Sequence, residues 1–294
     1  MDAKKVVVGI DTSTPSLAAL RWAAGQARRH DAELQVLFAY HWRMPGAHFV
    51  TSAELEKAAD ELATLIVDEA VAEARELAPG LAAYGAAVLG SPARVLLNAA
   101  ADATLLVVGH RGRGGFTSLL AGSVGVAVAT HAPCPVAVVR GRADTATGGV
   151  VVGVDGSPSA DHAIGLAFAE AAARGCGLVA VTAYTEPVPP WTADLPPIGY
   201  DPAAVRASLH EELVRHVAGW RDRYPGVPVA YTVEAGSTAS VLTDQSRQAQ
   251  LVVVGTRGRG GFAGLLLGSV GQQLLHHADC PVLIARGPTL DPTD

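Results

Sequence analysis

Cysteine is scarce in this 294-residue chain: there are three, Cys134, Cys176 and Cys280, an odd number without Cys-x-x-Cys spacing. A disulfide framework and a zinc site are not expected, and a reducing cytoplasm is the expected compartment. Positive charge is also short, with 22 Lys and Arg against 28 Asp and Glu and a formal net charge of −6. The basic face typical of nucleic-acid binding is therefore not expected, and an anionic ligand would have to be held by local dipoles and nearby arginines. No apolar segment approaches the length that spans a bilayer. The run after Met1-Asp2-Ala3-Lys4-Lys5 is too short for a signal peptide, so no membrane partner is expected. Missing too is any Gly-x4-Gly-Lys-Ser/Thr run, which excludes a P-loop NTPase at the level of motif. What remains is 49% hydrophobic and 17% charged, the balance of a folded globular protein. Its length suffices for two domains of ordinary size.

The chain is organised around Gly109-His110-Arg111-Gly112-Arg113-Gly114-Gly115-Phe116, followed by Gly122-Ser123-Val124. An apolar run, Leu105 to Val108, precedes it as a buried strand, and Val124 to His131 can continue as a helix. A glycine-rich turn between strand and helix brings backbone N–H groups close to a phosphate, because glycine has no Cβ in the way. The arrangement recurs as Gly255-Thr256-Arg257-Gly258-Arg259-Gly260-Gly261-Phe262, then Gly268-Ser269-Val270. Both copies have the spacing Gly-x2-Gly-x9-Gly-Ser.

The rest of the chain is duplicated as well. Val6-Val7-Val8-Gly9-Ile10-Asp11 reads as a first strand buried on both faces, and Thr14-Pro15 as an N-cap followed by proline at the first helical position. Leu34 to Ala39 reads as the second strand. Thr51-Ser52-Ala53-Glu54 has capping-box spacing, before a helix with apolar residues at Leu55, Ala58, Ala59, Leu62, Leu65, Ile66 and Ala70. Ala82 to Leu89 is a third strand, Pro92 to Ala101 a short helix, Thr104 to Gly109 the fourth strand and Pro135 to Val139 the fifth. The small, polar run from Gly141 to Gly149 reads as a linker, after which Val150-Val151-Val152-Gly153-Val154-Asp155 restarts the pattern. Asp11 and Asp155 lie 144 residues apart, whereas Gly109 and Gly255, and Cys134 and Cys280, lie 146 apart. A net gain of two residues thus falls after the second strand of the second half. The expected domains are 1–143 and 149–294, joined by a linker at 144–148. Alternating strands and helices imply a parallel sheet with helices on both faces, and ligands in such sheets sit at the carboxyl ends of the strands where strand order reverses. Asp11 and Gly109 end strands one and four; if these are neighbours, both motifs face one crevice.

With Asp11 and Asp155 after the first strands and Gly-x2-Gly-x9-Gly-Ser in both halves, the chain resembles the universal stress protein family in its tandem two-domain form. The resemblance covers nearly the whole chain, and the glycine pattern is the mark of the family's ATP-binding branch. It implies an α/β fold of two doubly wound domains, each a five-stranded parallel sheet in order 3-2-1-4-5. It implies ATP as ligand, with or without Mg, and a role in stress or dormancy physiology. By motif position Asp11 and Asp155 would contact the ribose or adenine side, and Ala39 and Ala183 would sit by the adenine through their backbone. Val108, Gly109 and Gly112, and Val254, Gly255 and Gly258, would line the phosphates. Gly122, Ser123 and Val124, and Gly268, Ser269 and Val270, would close the cradle. Gly9 and Gly153 stand where some members carry proline two residues before the aspartate.

Each motif also has a plainer reading. Ser123 and Ser269 suit a helix N-cap, although the dipole end they mark also favours an anion by roughly 0.3–1 kcal/mol. With Thr14-Pro15 and Ser157-Pro158 available as caps, Asp11 and Asp155 are expected to be spare acceptors for a ribose hydroxyl. Arg111, Arg113, Arg257 and Arg259 are either a solvated loop face or partners for phosphate charge. Cys134 and Cys280 read as small buried residues, and His131, His276 and His277 as helix-ending residues without a metal. Trp42 and Trp191, in the loops after the second strands, are on the side where lids form, though packed loops are the commoner outcome. The apolar fifth strands, Val136 to Val139 and Val282 to Ala285, would be sheet edges, and the two domains are expected to pair through them. Dimerisation of the whole chain stays open. The favoured function is a nucleotide-dependent regulator with one adenine-nucleotide site per domain. A slow ATPase or nucleotidyl-transfer enzyme, and a scaffold without nucleotide, are the alternatives; no catalytic residue is assigned.

Overall fold

The structure is a computed structural model and describes residues 4–40, 53–112, 122–186, 201–259 and 266–286. The chain divides into two compact units, Met1–Asp144 and Thr145–Asp294. In the first unit the elements are β1 (Lys5–Ile10), α1 (Thr14–Arg29), β2 (Glu33–Tyr40), α2 (Ala53–Leu77), β3 (Ala83–Leu89), α3 (Pro92–Ala99), β4 (Leu105–Gly109), α4 (Ser123–His131) and β5 (Val136–Val139). The second unit repeats them as β6 (Val150–Gly153), α5 (Pro158–Arg174), β7 (Leu178–Tyr184), α6 (Pro202–Arg223), β8 (Val229–Ala235), α7 (Thr238–Ser246), β9 (Leu251–Gly255), α8 (Ser269–His277) and β10 (Val282–Ala285).

Within each unit the strands pair in parallel, in the order β3-β2-β1-β4-β5 and β8-β7-β6-β9-β10. The central strands are β-branched because they are covered on both faces; Val6, Val7, Val8, Leu106 and Val107 are buried. In the first unit α1 packs beside α2 on one face and α3 beside α4 on the other, and α5 to α8 follow the same scheme. Strand order therefore reverses between β1 and β4 in one unit and between β6 and β9 in the other. Register sets Val8 against Val107 and Val152 against Val253, so the ends of these neighbours come out together.

Helix starts differ in detail from the sequence reading. The N-cap of α1 is Ser13, not Thr14: its Oγ accepts from the Ser16 N–H at 3.3 Å, and Pro15 falls at the second helical position. Ser157 caps α5 in the same way, accepting from the Ala160 N–H, with Pro158 first in the helix. The capping box at Thr51-Ser52 lies outside the described residues.

A larger correction concerns α2. Of the apolar stripe expected to face the core, Leu55, Leu62 and Leu65 are exposed, the last two at 60% and 58%. Ala70 of that stripe is buried, and Ala63, Val67, Val71 and Ala74 complete the buried face, a stripe of smaller side chains. Its smallness lets the helix lie close on the sheet. A Cβ at Gly85 of β3 would stand 3.1 Å from Val71 and closer still to Val67.

Candidate functional site

Asp11 follows β1 and is tied into the turn that starts α1. Its Oδ1 accepts from the Ser13 N–H at 3.1 Å and from the Ser13 hydroxyl at 2.5 Å. Its own N–H donates to Ser16 Oγ at 3.2 Å, and that hydroxyl donates to the Ser13 carbonyl at 2.9 Å. Across the strand-order reversal, Gly109 ends β4 directly over the first turn of α1: a Cβ there would stand 2.7 Å from the carbonyl carbon and oxygen of Pro15. Three residues on, Gly112 lies on Asp11, so that a Cβ would collide with its Oδ2. Gly122 closes the circuit, donating its N–H to the His110 carbonyl at 2.8 Å and lying beside Gly112 and Arg111. The first unit thus brings Asp11, Gly109, Arg111, Gly112 and Gly122 to one place.

The second unit builds the same circuit with different hydrogen bonds. Asp155 Oδ1 accepts from the Ser157 N–H at 3.0 Å, and its Oδ2 accepts from the Arg259 N–H at 2.8 Å. A Cβ at Gly258 would stand 2.5 Å from that Oδ2, and one at Gly255 would stand 2.7 Å from Ser159 backbone. The Ser159 hydroxyl donates to the Arg257 carbonyl, joining the loop to the start of α5. Gly268 donates its N–H to the Thr256 carbonyl at 2.7 Å.

Gly109, Gly112, Gly255 and Gly258 are therefore required by close approach to a carboxylate or to backbone, independently of any ligand. The expectation that Asp11 and Asp155 stand as spare acceptors is overturned: each carboxylate holds a serine of the strand–helix turn, and Asp155 also holds the opposite loop. Sequence reading credited the caps to the hydroxyl residues and did not foresee that the aspartates bind the same turns. The Asp-x-Ser spacing of both copies, with the carboxylate two residues before the serine N–H, was the available signal.

The helix starts bear on anion binding. Gly122 and Gly268 are the N-caps of α4 and α8, so neither helix receives a side-chain cap bond. Ser123 and Ser269 are the first helical residues and exposed, not caps as their type suggested. Two uncapped helix starts, each beside a glycine without a Cβ (Gly112 or Gly258), fit a phosphate. Val108 and Val254 point into the core, and Val124 and Val270 are half-buried. Ala39 and Ala183 lie at the carboxyl ends of β2 and β7, one strand over from the aspartates; the β1–β2 pairing stops at Phe38, short of Ala39. Gly9 and Gly153 have a packing role: a Cβ would stand 2.8 Å from Leu96 of α3, or 2.9 Å from Leu242 of α7.

Arg111 and Arg257 are exposed. His110 is half-buried, its Nδ1–H donating to the Val139 carbonyl at 3.3 Å, and burial pushes its proton affinity down. In the second unit sequence reading missed Glu212 and His216 of α6, which line the same cleft as Asp155 and Arg259. Glu212 Oε1 accepts from the Arg259 guanidinium at 3.0 Å, which holds its carboxyl below the usual range. Arg113, Trp42 and Trp191 lie outside the described residues. Cys134 and Cys280 are buried and not disulfide-bonded, and no group of three or more potential metal-ligating side chains stands together among the described residues. No helix among them is long and apolar enough to cross a membrane.

The family whose description is the universal stress protein family matches residues 3–140 and again 148–286. A universal stress protein of Mycolicibacterium smegmatis is 36% identical over 289 residues, covering 96% of each chain. One of Mycobacterium tuberculosis is 36% identical over 293 residues with the same coverage. Among solved structures, a universal stress protein of Archaeoglobus fulgidus superposes with a TM-score of 0.69 at 18% identity, covering 97% of this chain and 99% of its own. With two matched copies, full-length relatives and a shared fold, this chain belongs to the universal stress protein family.

Proposed function

We propose that the protein is a cytoplasmic regulator that binds one adenine nucleotide in each unit, with ATP as the ligand. The observation that carries the reading is the convergence, twice in one chain, of a strand-end carboxylate, a glycine loop and an uncapped helix start. The backbone of Gly112 and Gly122, or of Gly258 and Gly268, would hold the phosphates through N–H groups. Ala39 and Ala183 offer backbone at the end of the neighbouring strand for the base. Arg111 and Arg257 supply positive charge at the loop, and a bound Mg ion would serve the phosphates. Asp11 and Asp155 act first by positioning the loop, and a ribose hydroxyl would share their carboxylates with those contacts.

The nucleotide works as a conformational ligand. A ligand can change function only through unequal affinity for two states, and the contacts of Gly112 with Asp11 and of Gly258 with Asp155 are what it would bias. The apolar fifth strands β5 and β10, each at one end of its own sheet order, are inferred to pair with each other. Slow exchange of the amide hydrogens of 136–139 and 282–285, comparable to those of β1, is the result expected of that pairing.

The test of the main reading is direct. Purified protein, incubated with Mg-ATP, washed and denatured, should release adenine nucleotide at up to two equivalents per chain. A chain with both Gly112→Val and Gly258→Val should release little. Release equal to that of the double variant would refute nucleotide binding, and rapid conversion to ADP by the wild type alone would favour the enzyme.

A further inference from the structure

The cleft of the second unit contains side chains that the duplication did not place in the first. Arg259 sits one residue beyond Gly258, its N–H on Asp155 and its guanidinium on Glu212. The guanidinium lies over Gly156, whose φ of +69° and missing Cβ leave the room it needs. His216 stands on the far side, its Nε2 3.8 Å from Glu212 and its Nδ1 3.6 Å from Asp161. The repeat offsets of 144 and 146 convert Gly156 to Thr12, Asp161 to Leu17, Glu212 to Ile66 and His216 to Ala70. Only the arginine is kept, as Arg113. Glu212, the carboxylate that pairs with its guanidinium in the second copy, is replaced by Ile66 in the first.

We propose that Arg259 is a phosphate-contacting residue of the second site and Glu212 its internal competitor, so that this site takes its nucleotide by exchanging carboxylate for phosphate on one guanidinium. The inference rests on the nucleotide reading above. Three features support it. Arg259 adjoins the loop residue that faces the uncapped start of α8: a Cβ on Gly268 would stand 4.0 Å from the Gly258 nitrogen in the same closed circuit. Guanidinium forms paired hydrogen bonds with carboxylate and with phosphate alike, so one can replace the other without moving the backbone. Glu212 is about one-third exposed, which makes the ion pair weak enough to be displaced. The first site, with Ile66 and Ala70 at the matching places, fills first; the second fills at higher nucleotide concentration.

Titration calorimetry of the full chain with ATP, with bound nucleotide counted by native mass spectrometry, tests this. The wild type should bind two equivalents with unequal affinity. Glu212→Gln should tighten the weaker event about 5-fold, the order of effect expected from removing an exposed ion pair. Arg259→Gln should weaken that same event and leave the stronger one unchanged. Two equal affinities in the wild type, or a weaker event indifferent to both substitutions, would overturn the exchange while leaving nucleotide binding intact. No ATP bound by any of the three proteins would remove both the reading and the exchange built on it.

Discussion

Thr12 stands next to Asp11 with φ of +64°, in the left-handed region that a β-branched residue enters at a cost of roughly 1–2 kcal/mol. Its Oγ1 is buried without a hydrogen-bond partner, which adds to that cost. The second unit has glycine at this place, Gly156, with nearly the same φ of +69°. Strain kept in one copy and relieved in the other marks the turn as over-determined: the Asp11–Ser13 bond and the Ser13 cap hold it whatever residue lies between them. Thr12→Gly is accordingly expected to stabilise the first unit by up to about 1 kcal/mol, less than the full strain because glycine also gains freedom in the unfolded chain. A urea midpoint that falls on this substitution would mean that the threonine side chain holds the turn after all.

Helix α2 carries two apolar faces, and packing chose between them by size. Its Val67 and Val71 press on Gly85 of β3, a contact that longer side chains would not permit. The α1–α2 contact is solved differently in the two copies. In the first, Arg21 of α1 meets Glu73 of α2 at 2.7 Å; in the second, Trp220 of α6 fills the space over Gly165 of α5, where a Cβ would stand 2.6 Å from the ring. Val67→Ala should therefore cost about 2 kcal/mol through the cavity it leaves, whereas Leu62→Glu should change stability by no more than about 0.5 kcal/mol. Denaturant titration of both variants decides the matter, and an equal loss for Leu62→Glu would restore the leucine face to the core.

At the scale of the whole molecule, each unit takes one histidine out of water, His162 almost fully and His110 in part. His110 donates to the Val139 carbonyl and His162 to the Arg286 carbonyl at 3.3 Å, and burial lowers the proton affinity of both. The unfolded chain, with histidines near their ordinary value of about 6.5, then binds more protons than the folded one. Stability is complete above that value, falls as pH drops through it, and stops falling once the folded histidines protonate as well. A lower urea midpoint at pH 5.5 than at pH 7.5 is expected, with a smaller difference in His162→Gln. Stability that rises on acidification would show that these rings are charged in the fold.

Much of this was legible in the sequence because it is written locally. Runs such as Val6 to Ile10 and Leu105 to Val108 admit only a buried strand, and the offsets between Asp11 and Asp155 and between Gly109 and Gly255 reveal the duplication without reference to contacts. Spacing alone also placed the glycine loops at strand ends. What needed the tertiary structure was every choice between chemically similar options. Leu62 or Val67, Ser123 or Gly122, a free Asp155 or one bound to Ser157 and Arg259 differ only in how closely two backbones approach. Glu212 and Arg259 are 47 positions apart, and no period or motif links them. Periodicity states which residues share a face; distance across the sheet decides which face is inside and which charges meet, and that distance is set by the folded chain as a whole.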